Sequence, residues 1–501
     1  MIAGLDDLSL RDLIDKRASD APEALFLTDP TTGETVTFEQ LRDACQAVAQ
    51  RVAREDIPTG SAIGYAMNNG AEAAKIILGL LYGGYLATAI NLVSGQNTID
   101  YVLEHSESRL VFCQSGTKSL LANSAEEVAV VEVDSKLFEA AADGLNGHAP
   151  KPETEGLLMY TSGTTGVPKG VVLTHANLLA GGVNTTIAHQ LDRSDCGLCV
   201  LPLYHINGLC VTLLGALASG SGLIMPNRFS VSRFWDYLRE HGGTWFSVVP
   251  TQISYLLNET VTVPHDRTGL AQLRFGRSAS APLSPDVQQA FEREFGIPII
   301  ETMGLTETAA QILSNPVDGL RIIGSPGIAY GNEVIIADEA QHPLPEGQEG
   351  ELLVRGPNVM KGYLKNPQAT AAALTEYGWL RTGDLGRMDG QGYVTITGRL
   401  KELIIKGGEN IAPREVDDAL YSHPDVIEAA AFGRPCDQYG QRVEAGVKLR
   451  EGSHLSPQEL IQICQSKIGA FKSPDQIHLL SELPKGPSGK IQRAKLPDLT
   501  V

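Results

Sequence analysis

Hydroxyls and glycines are interleaved in the stretch Tyr160-Thr161-Ser162-Gly163-Thr164-Thr165-Gly166-Val167-Pro168-Lys169-Gly170, which closes on a lysine. Small residues let backbone N–H groups approach an anion, hydroxyls add donors and the lysine adds charge, so the stretch is built to hold a polyphosphate. The phosphate loop of kinases and GTPases is excluded by spacing. That loop needs its lysine directly after the second glycine and a Ser or Thr after the lysine, whereas Lys169 follows Gly166 by three positions and precedes Gly170. The bland alternative is a solvated surface loop. Apolar runs lead into the segment (Gly156 to Tyr160) and out of it (Val171 to Leu173), which predicts a strand hairpin that positions it.

Four later segments carry compatible chemistry. Glu301-Thr302-Met303-Gly304-Leu305-Thr306-Glu307 sets a hydroxyl beside a carboxylate, a pairing that hydrogen-bonds a phosphate and holds Mg²⁺ through oxygen. Asp384, in Tyr377 to Asp384, offers a carboxylate to a ribose diol, and Arg399, in Gly398 to Glu402, offers a fork of donors. Lys490 is presented from the constrained turn Pro484-Lys485-Gly486-Pro487-Ser488-Gly489-Lys490. Taken singly these are equally a helix cap, a surface turn, a salt-bridged arginine and a basic tail; their order along one chain is what gives them meaning.

The scaffold for these segments is large. A chain of 501 residues implies about three domain-sized units, and 43% hydrophobic residues fill a sizeable interior. The formal net charge of −19 repels phosphate backbones and anionic lipid heads, which argues against nucleic acid or a membrane surface as partner. A polyphosphate must then be held by local cations and Mg²⁺. Seven scattered cysteines do not read as a disulfide framework. Cys196-Gly197-Leu198-Cys199 has redox or zinc spacing, but no second pair completes a metal site and the apolar neighbours suit buried thiols. No basic, then apolar, leader opens the sequence, and the most apolar stretch, Ile76 to Ile90, is too short to span a bilayer; a cytoplasmic setting is expected.

Thr37-Phe38-Glu39-Gln40 has capping-box form, and Leu41, Ala44, Val48 and Val52 follow at helical spacing. Short aliphatic runs (Leu110 to Phe112, Gly222 to Met225, Thr244 to Val249) alternate with helix-like stretches (Ser232 to Glu240, Ser284 to Phe295), which predicts α/β layers with largely parallel sheet. Between Gly319 and Thr397 the texture changes to short strands and Gly/Pro turns, predicting a small antiparallel β subdomain. Ala141 to Glu155 reads as a linker, and a compact α+β pattern follows residue 400. The fold expected is α/β: a large N-terminal domain of layered sheets and helices over residues 1–398, and a small mobile α+β C-terminal domain over 399–501.

Across nearly its whole length the sequence resembles the adenylate-forming superfamily of acyl-CoA synthetases, peptide-synthetase adenylation domains and firefly luciferase. The resemblance implies an enzyme that uses ATP, Mg²⁺ and coenzyme A. A carboxylate oxygen attacks the α-phosphorus, pyrophosphate leaves, and a thiol then displaces AMP from the acyl-adenylate. It implies that Thr161, Ser162, Gly163, Thr164, Thr165 and Lys169 handle the pyrophosphate end of ATP, Thr306 the α-phosphate and Glu307 the metal. Asp384 is implied to hold the ribose hydroxyls, Arg399 the ribose or phosphate, Ser278, Ala279, Ser280 and Met303 the rest of the nucleotide, and Lys490 to be the catalytic lysine. Met303 departs from the family, which usually stacks an aromatic on adenine there; a thioether also packs on a ring face.

Leu201 to Leu209, Thr244 to Thr251 and Phe275 to Leu283 look most like oxalyl-CoA synthetases. That resemblance favours a small polar acid, with Arg277, His205 and Asn207 as donors to a second anionic group and His205 also counted with the catalytic residues. A structural salt bridge is the alternative for Arg277. Malonyl-CoA synthetases typically carry Arg where Thr302 stands, and amino-acid-activating domains place Asp near Tyr204-His205; neither specificity is supported. A medium- or long-chain or aromatic acid remains the alternative substrate. The sequence runs eleven residues past Lys490 without a fused carrier domain, so CoA is the expected acceptor and a separate carrier protein the alternative. A non-catalytic ATP-binding regulatory protein is disfavoured by Lys490 itself. Lys401 is the expected hinge, whose rotation would bring Gly407 and Gly408 to a pantetheine chain.

Overall fold

A computed structural model describes residues 7–121, 128–138, 149–161, 167–258, 269–486 and 490–500. Two mixed sheets, each largely parallel, form the bulk of the molecule. The first has nine strands and, from one edge, runs Ile328–Ala329, Ala310–Ser314, Ile299–Leu305, Phe275–Ser278, Trp245–Val248, Cys196–Cys199, Gly222–Ile224, Leu25–Asp29 and Glu34–Thr37. The second, of seven, runs from Gly362–Tyr363 through Lys169–Thr174, Glu155–Thr161, Leu86–Ala89, Ala62–Ala66 and Leu110–Cys113 to Ala129–Glu132. A four-stranded antiparallel sheet over residues 333–399 is the expected β subdomain, and a five-stranded sheet over 404–479 is the core of the small C-terminal domain.

Local sequence explains these elements. Thr37 caps the helix Phe38–Ala53 reciprocally with Gln40, and its stripe of Leu41, Ala44, Val48 and Val52 is buried. It packs on the helix Ala71–Tyr82, which together with the strand Leu86–Ala89 takes most of the apolar Ile76–Ile90 stretch into the core instead of a bilayer. Each such fully buried aliphatic side chain contributes about 1.5–3 kcal/mol before entropy is counted. A second apolar cluster stacks Phe234, Trp235, Phe246 and Phe291 edge to face or offset beneath the nine-stranded sheet. No helix among the described residues is long and apolar enough to cross a membrane.

Cys196 and Cys199 lie at the two ends of one short strand. Alternation sends their side chains to opposite faces, so redox or zinc spacing in sequence becomes no pair in space. All seven cysteines are free, and burial pushes both of these thiols up to about 12. Of the expected linker Ala141 to Glu155, residues 141–148 lie outside the described residues.

Candidate active site

The floor of the site is made by strand ends. Phe275–Ser278 and Ile299–Leu305 run parallel, with Arg277 opposite Ile300 and Ser278 opposite Glu301, and their carboxyl ends open into a cleft shared with the C-terminal domain. Ligands of open α/β sheets collect at such ends because helix and loop termini converge there. Beyond the first strand Ser280 holds φ +72°, a left-handed conformation costly for a residue with a Cβ. Of the residues expected from sequence, Ser280, Met303, Asp384, Arg399 and Lys490 line this one cleft. Ala279 is buried beside them, and the Ser278 hydroxyl is buried with no hydrogen-bond partner among the described residues.

Asp384 and Arg399 face each other across adjacent antiparallel strands, and their register makes the contact bidentate: Arg399 Nε donates to Asp384 Oδ1 at 2.6 Å and Nη2 to Oδ2 at 3.2 Å. Burial alone lowers the Arg399 pKa, but the paired carboxylate outweighs it and the net displacement is upward. Lys490 enters from the C-terminal domain on a hairpin whose arms are joined by Gly486 N–H to Lys490 O (2.8 Å) and Gln492 N–H to Pro484 O (2.7 Å). Burial and the Arg399 charge lower the Lys490 pKa, while Glu402 and Asp384 oppose them. A cation thus stands where negative charge on a substrate would relieve it.

The expected hairpin flanking the phosphate loop is present: Glu155–Thr161 pairs with Lys169–Thr174, and Thr161 lies opposite Lys169. Ser162, Gly163, Thr164 and Thr165 lie outside the described residues. Strand Gly362–Tyr363 pairs with Lys169–Thr174 and ties the hairpin to the Thr306–Glu307 segment. Tyr363 Oη donates to Glu307 Oε1 at 2.8 Å, and Lys169 Nζ sits 5.0 Å from the centre of the Tyr363 ring. Glu307 is also close enough to help hold Arg399 protonated. Its second oxygen and the short helix beginning at Thr306 leave this carboxylate suited to a hard cation beside a phosphate.

Behind Ser280 lies a buried polar network. Residues 207–214 wind as a π-helix, an uncommon geometry often found at functional sites, and Asn207 starts it. Gly208 lets the 201–205 loop press against that helix; a Cβ there would meet Pro202 O at 2.4 Å and Leu201 O at 2.6 Å. Asn207 Nδ2 donates to Ser280 Oγ (3.1 Å), while Asn207 Oδ1 accepts from Arg277 Nη1 (2.8 Å) and Ser247 Oγ (3.2 Å). Arg277 is 1% exposed and, among the described residues, forms no ion pair and leaves Nε without a partner. The structural salt bridge considered for it is absent among them, and burial pushes its pKa down to about 9. His205 Nδ1 accepts the Asn207 N–H at 3.3 Å, which places its proton on Nε2. Burial and the neighbouring Lys490 charge push His205 down to about 4, so it is neutral at physiological pH.

Gly407 and Gly408 do not line the cleft. They form the two-residue turn of the hairpin Ile404–Lys406 and Glu409–Ile411, with φ +59° and +86°, conformations that favour glycine. Lys401 lies in the turn that Glu402 N–H closes onto Arg399 O at 3.0 Å, between the β subdomain and the C-terminal sheet. Sequence reasoning missed the charged residues that line the cleft from the second domain, among them Arg414, Asp417, Asp418 and Arg493. Arg414 Nη1 donates to Ile396 O at 2.9 Å and Nη2 to Gly324 O at 3.2 Å, joining the domains. On an amphipathic helix these acids and this base look like a solvated face; only Arg493, three residues beyond Lys490, carried a positional signal.

The sequence matches the family model "AMP-binding enzyme" over residues 14–364 and "AMP-binding enzyme C-terminal domain" over 415–490. It is 44% identical to the sulfoacetate–CoA ligase of Cupriavidus necator, covering 97% of each chain. It is 33% identical to the oxalate–CoA ligase of Arabidopsis thaliana, covering 98% of each. The crystal structure of ATP-bound MatB from Rhodopseudomonas palustris superposes with a TM-score of 0.90 at 27% identity, covering 98% of this chain and 99% of that one.

Proposed function

This chain belongs to the AMP-binding enzyme family, and from that premise we propose that it is an AMP-forming acid–CoA ligase acting on a small acid with a second anionic group. One observation carries the reading: Lys490 of the C-terminal domain meets the Asp384–Arg399 pair of the other domain in a single cleft. The roles follow from that meeting. Asp384 is buried with both oxygens on Arg399, leaving lone pairs for a ribose diol, and Met303 offers a flat apolar contact to a base. Lys490 and Thr306 stabilise charge growing on the phosphoryl oxygens as the acid's carboxylate attacks in line and pyrophosphate leaves. Thr161, Lys169 and the loop between them hold the departing pyrophosphate, and Glu307 holds Mg²⁺, which neutralises charge there when bound.

Arg277 supports the acid class. A fully buried guanidinium without a carboxylate partner carries a large desolvation cost, which a substrate anion reaching the Asn207–Ser280 side of the cleft offsets. The names of the relatives, sulfoacetate–CoA and oxalate–CoA ligase, agree with a two-carbon dianionic acid. Neutral His205, with its proton on Nε2, donates to the acid without competing for its negative charge. CoA enters in a second arrangement, with Lys401 as pivot and the C-terminal domain beyond it as the moving body, which brings Gly407 and Gly408 to the pantetheine. A cytoplasmic setting belongs to this reading, supported by the free thiols.

The test is AMP release with ATP, Mg²⁺ and CoA over a panel that includes sulfoacetate, oxalate, malonate, acetate and octanoate. A small dianionic acid should give the highest kcat/KM. Octanoate above every small polar acid would overturn the acid class, and no AMP release with any acid would count against the ligase reading itself.

A further inference from the structure

Away from the reacting atoms, two elements of different domains meet through a single carboxylate. The helix Pro250–Asn258 lines the cleft with Pro250 and Thr251, and one turn further along the same face stands Tyr255. Tyr255 Oη donates to Glu428 Oε1 at 2.7 Å. Glu428, on the strand Val426–Cys436 of the C-terminal domain, is 0% exposed. Lys485 Nζ lies 3.0 Å from that same oxygen and Lys448 Nζ 3.9 Å, while Leu483 N–H donates to Oε2 at 3.3 Å. The ammonium groups of Lys448 and Lys485 also lie 5.6 and 6.0 Å from the centre of the Tyr255 ring.

Leu483 and Lys485 begin the hairpin that carries Lys490, and Lys485 pairs across it with Ile491. Glu428 therefore fastens the base of the lysine hairpin to its own domain and, through Tyr255, to the other one. These bonds differ in kind. The bonds from Glu428 to Lys485 and Leu483 lie inside the C-terminal domain and survive any rigid rotation of it. The Tyr255 bond crosses domains and exists only in the arrangement that sets Lys490 beside Asp384 and Arg399. The phenol keeps its proton and so remains a donor, because burial and the Glu428 charge raise its pKa to about 12.

We propose that Tyr255 is a positioning residue for adenylate formation: its hydroxyl on Glu428 latches the lysine hairpin against the N-terminal domain and has to release before the thiol step. The proposal rests on the ligase reading above. An interaction present in one of two states biases their populations by its whole free energy, and hydrogen bonds to a charged group are among the stronger ones.

Tyr255→Phe keeps the ring and its packing and removes only the hydroxyl. Two rates are measured in the holo reaction mixture: ATP/pyrophosphate exchange, and thioester formation from supplied acyl-adenylate and CoA. Exchange should fall about 10-fold in kcat with little change in KM for the acid, while the thioester rate stays level or rises. Glu428→Gln should move the same ratio in the same direction, and the double variant should lose no more exchange than the worse single one, since the two side chains act as one bond. A ratio of the two rates unchanged from wild type, whether both fall together or neither moves, would overturn the latch, as would independent, additive losses in the double variant. Failure of the latch is distinguishable from failure of the ligase reading, because the first leaves wild-type exchange intact and the second abolishes it for every acid.

Discussion

The two walls of the cleft are built on opposite principles. The wall of strand ends stands on a continuous apolar core, and its polar side chains, Arg277, Asn207, Ser247 and Ser280, are tied to one another by hydrogen bonds. The facing wall, from Pro413 to Tyr421 and around Lys490, meets the rest of the molecule through charged and polar contacts: Arg414 on two carbonyls and Tyr255 on Glu428. Contacts of the second kind exchange for water at little net cost, whereas opening an apolar core does not. The contrast teaches where each task belongs. On the proposed reading, acid recognition sits in the wall that stays, and the lysine needed for only one half-reaction sits on the wall that leaves.

The sharpest way to break this division is Lys490→Ala. Removing a preorganised cation should lower ATP/pyrophosphate exchange about 10²- to 10³-fold while leaving thioester formation from supplied acyl-adenylate largely intact. Equal loss in both half-reactions would place Lys490 in the fixed machinery instead. Next in size is Lys401→Pro, which locks φ at the proposed pivot. Lys401 is the third residue of the turn closed by Glu402 N–H on Arg399 O, where proline also strains the present arrangement. Exchange should therefore drop a few-fold and CoA thioester formation about 100-fold or more. Thioester formation no more affected than exchange would move the pivot elsewhere.

The same contrast explains what the sequence could disclose. Residues of the fixed wall come in contiguous motifs because one strand end or one turn delivers them together: Met303 to Glu307 on a single strand and its following turn, Asp384 and Arg399 in register on neighbouring strands. The capping box at Thr37, the hairpin around the phosphate loop and the antiparallel texture beyond residue 330 were legible for the same local reason. The mobile wall is assembled from distant pieces. Arg414, Asp417, Asp418, Glu428 and Tyr255 acquire meaning only when the two domains are set face to face, and nothing local separates them from solvated charge or a helix tyrosine. Cys196 and Cys199 show the converse, a suggestive spacing that strand alternation dissolves.

Recognition in the fixed wall is probed by Arg277→Ala. Loss of a buried charge-assisted contact of about 1.5–3 kcal/mol should raise KM for the best dianionic acid about 10- to 100-fold, with a smaller change for acetate. Arg277→Lys should recover only part of it, because an ammonium lacks the planar fork that meets Asn207 and the substrate together. Equal KM effects on acetate and on the dianionic acid would make Arg277 a purely structural residue.

The smallest effect belongs to Asp418 on the mobile wall. Burial raises its pKa to about 7; Arg414, 3.6 Å away, opposes the rise, and Asp417 and Glu301 add to it. Glu301 comes from the fixed wall, so the assembled cleft sets carboxyl groups from both domains against one another. Between the ordinary aspartate value of about 3.9 and about 7, the folded state binds more protons at this site than the unfolded chain does. The slope of stability against pH from Asp418 is therefore negative in that window: its contribution is most favourable at the acid end and is lost as pH rises through about 7. Asn in its place keeps the shape and never ionises. Asp418→Asn should flatten this part of the profile and raise Tm at pH 8 by about 1 °C, a small shift because the carboxylate is partly screened by solvent. Thermal melts of both proteins from pH 5 to pH 8 check it. A Tm difference that does not grow with pH would mean that Asp418 is ionised throughout, and that the two walls meet without the carboxyl crowding that weakens the mobile one.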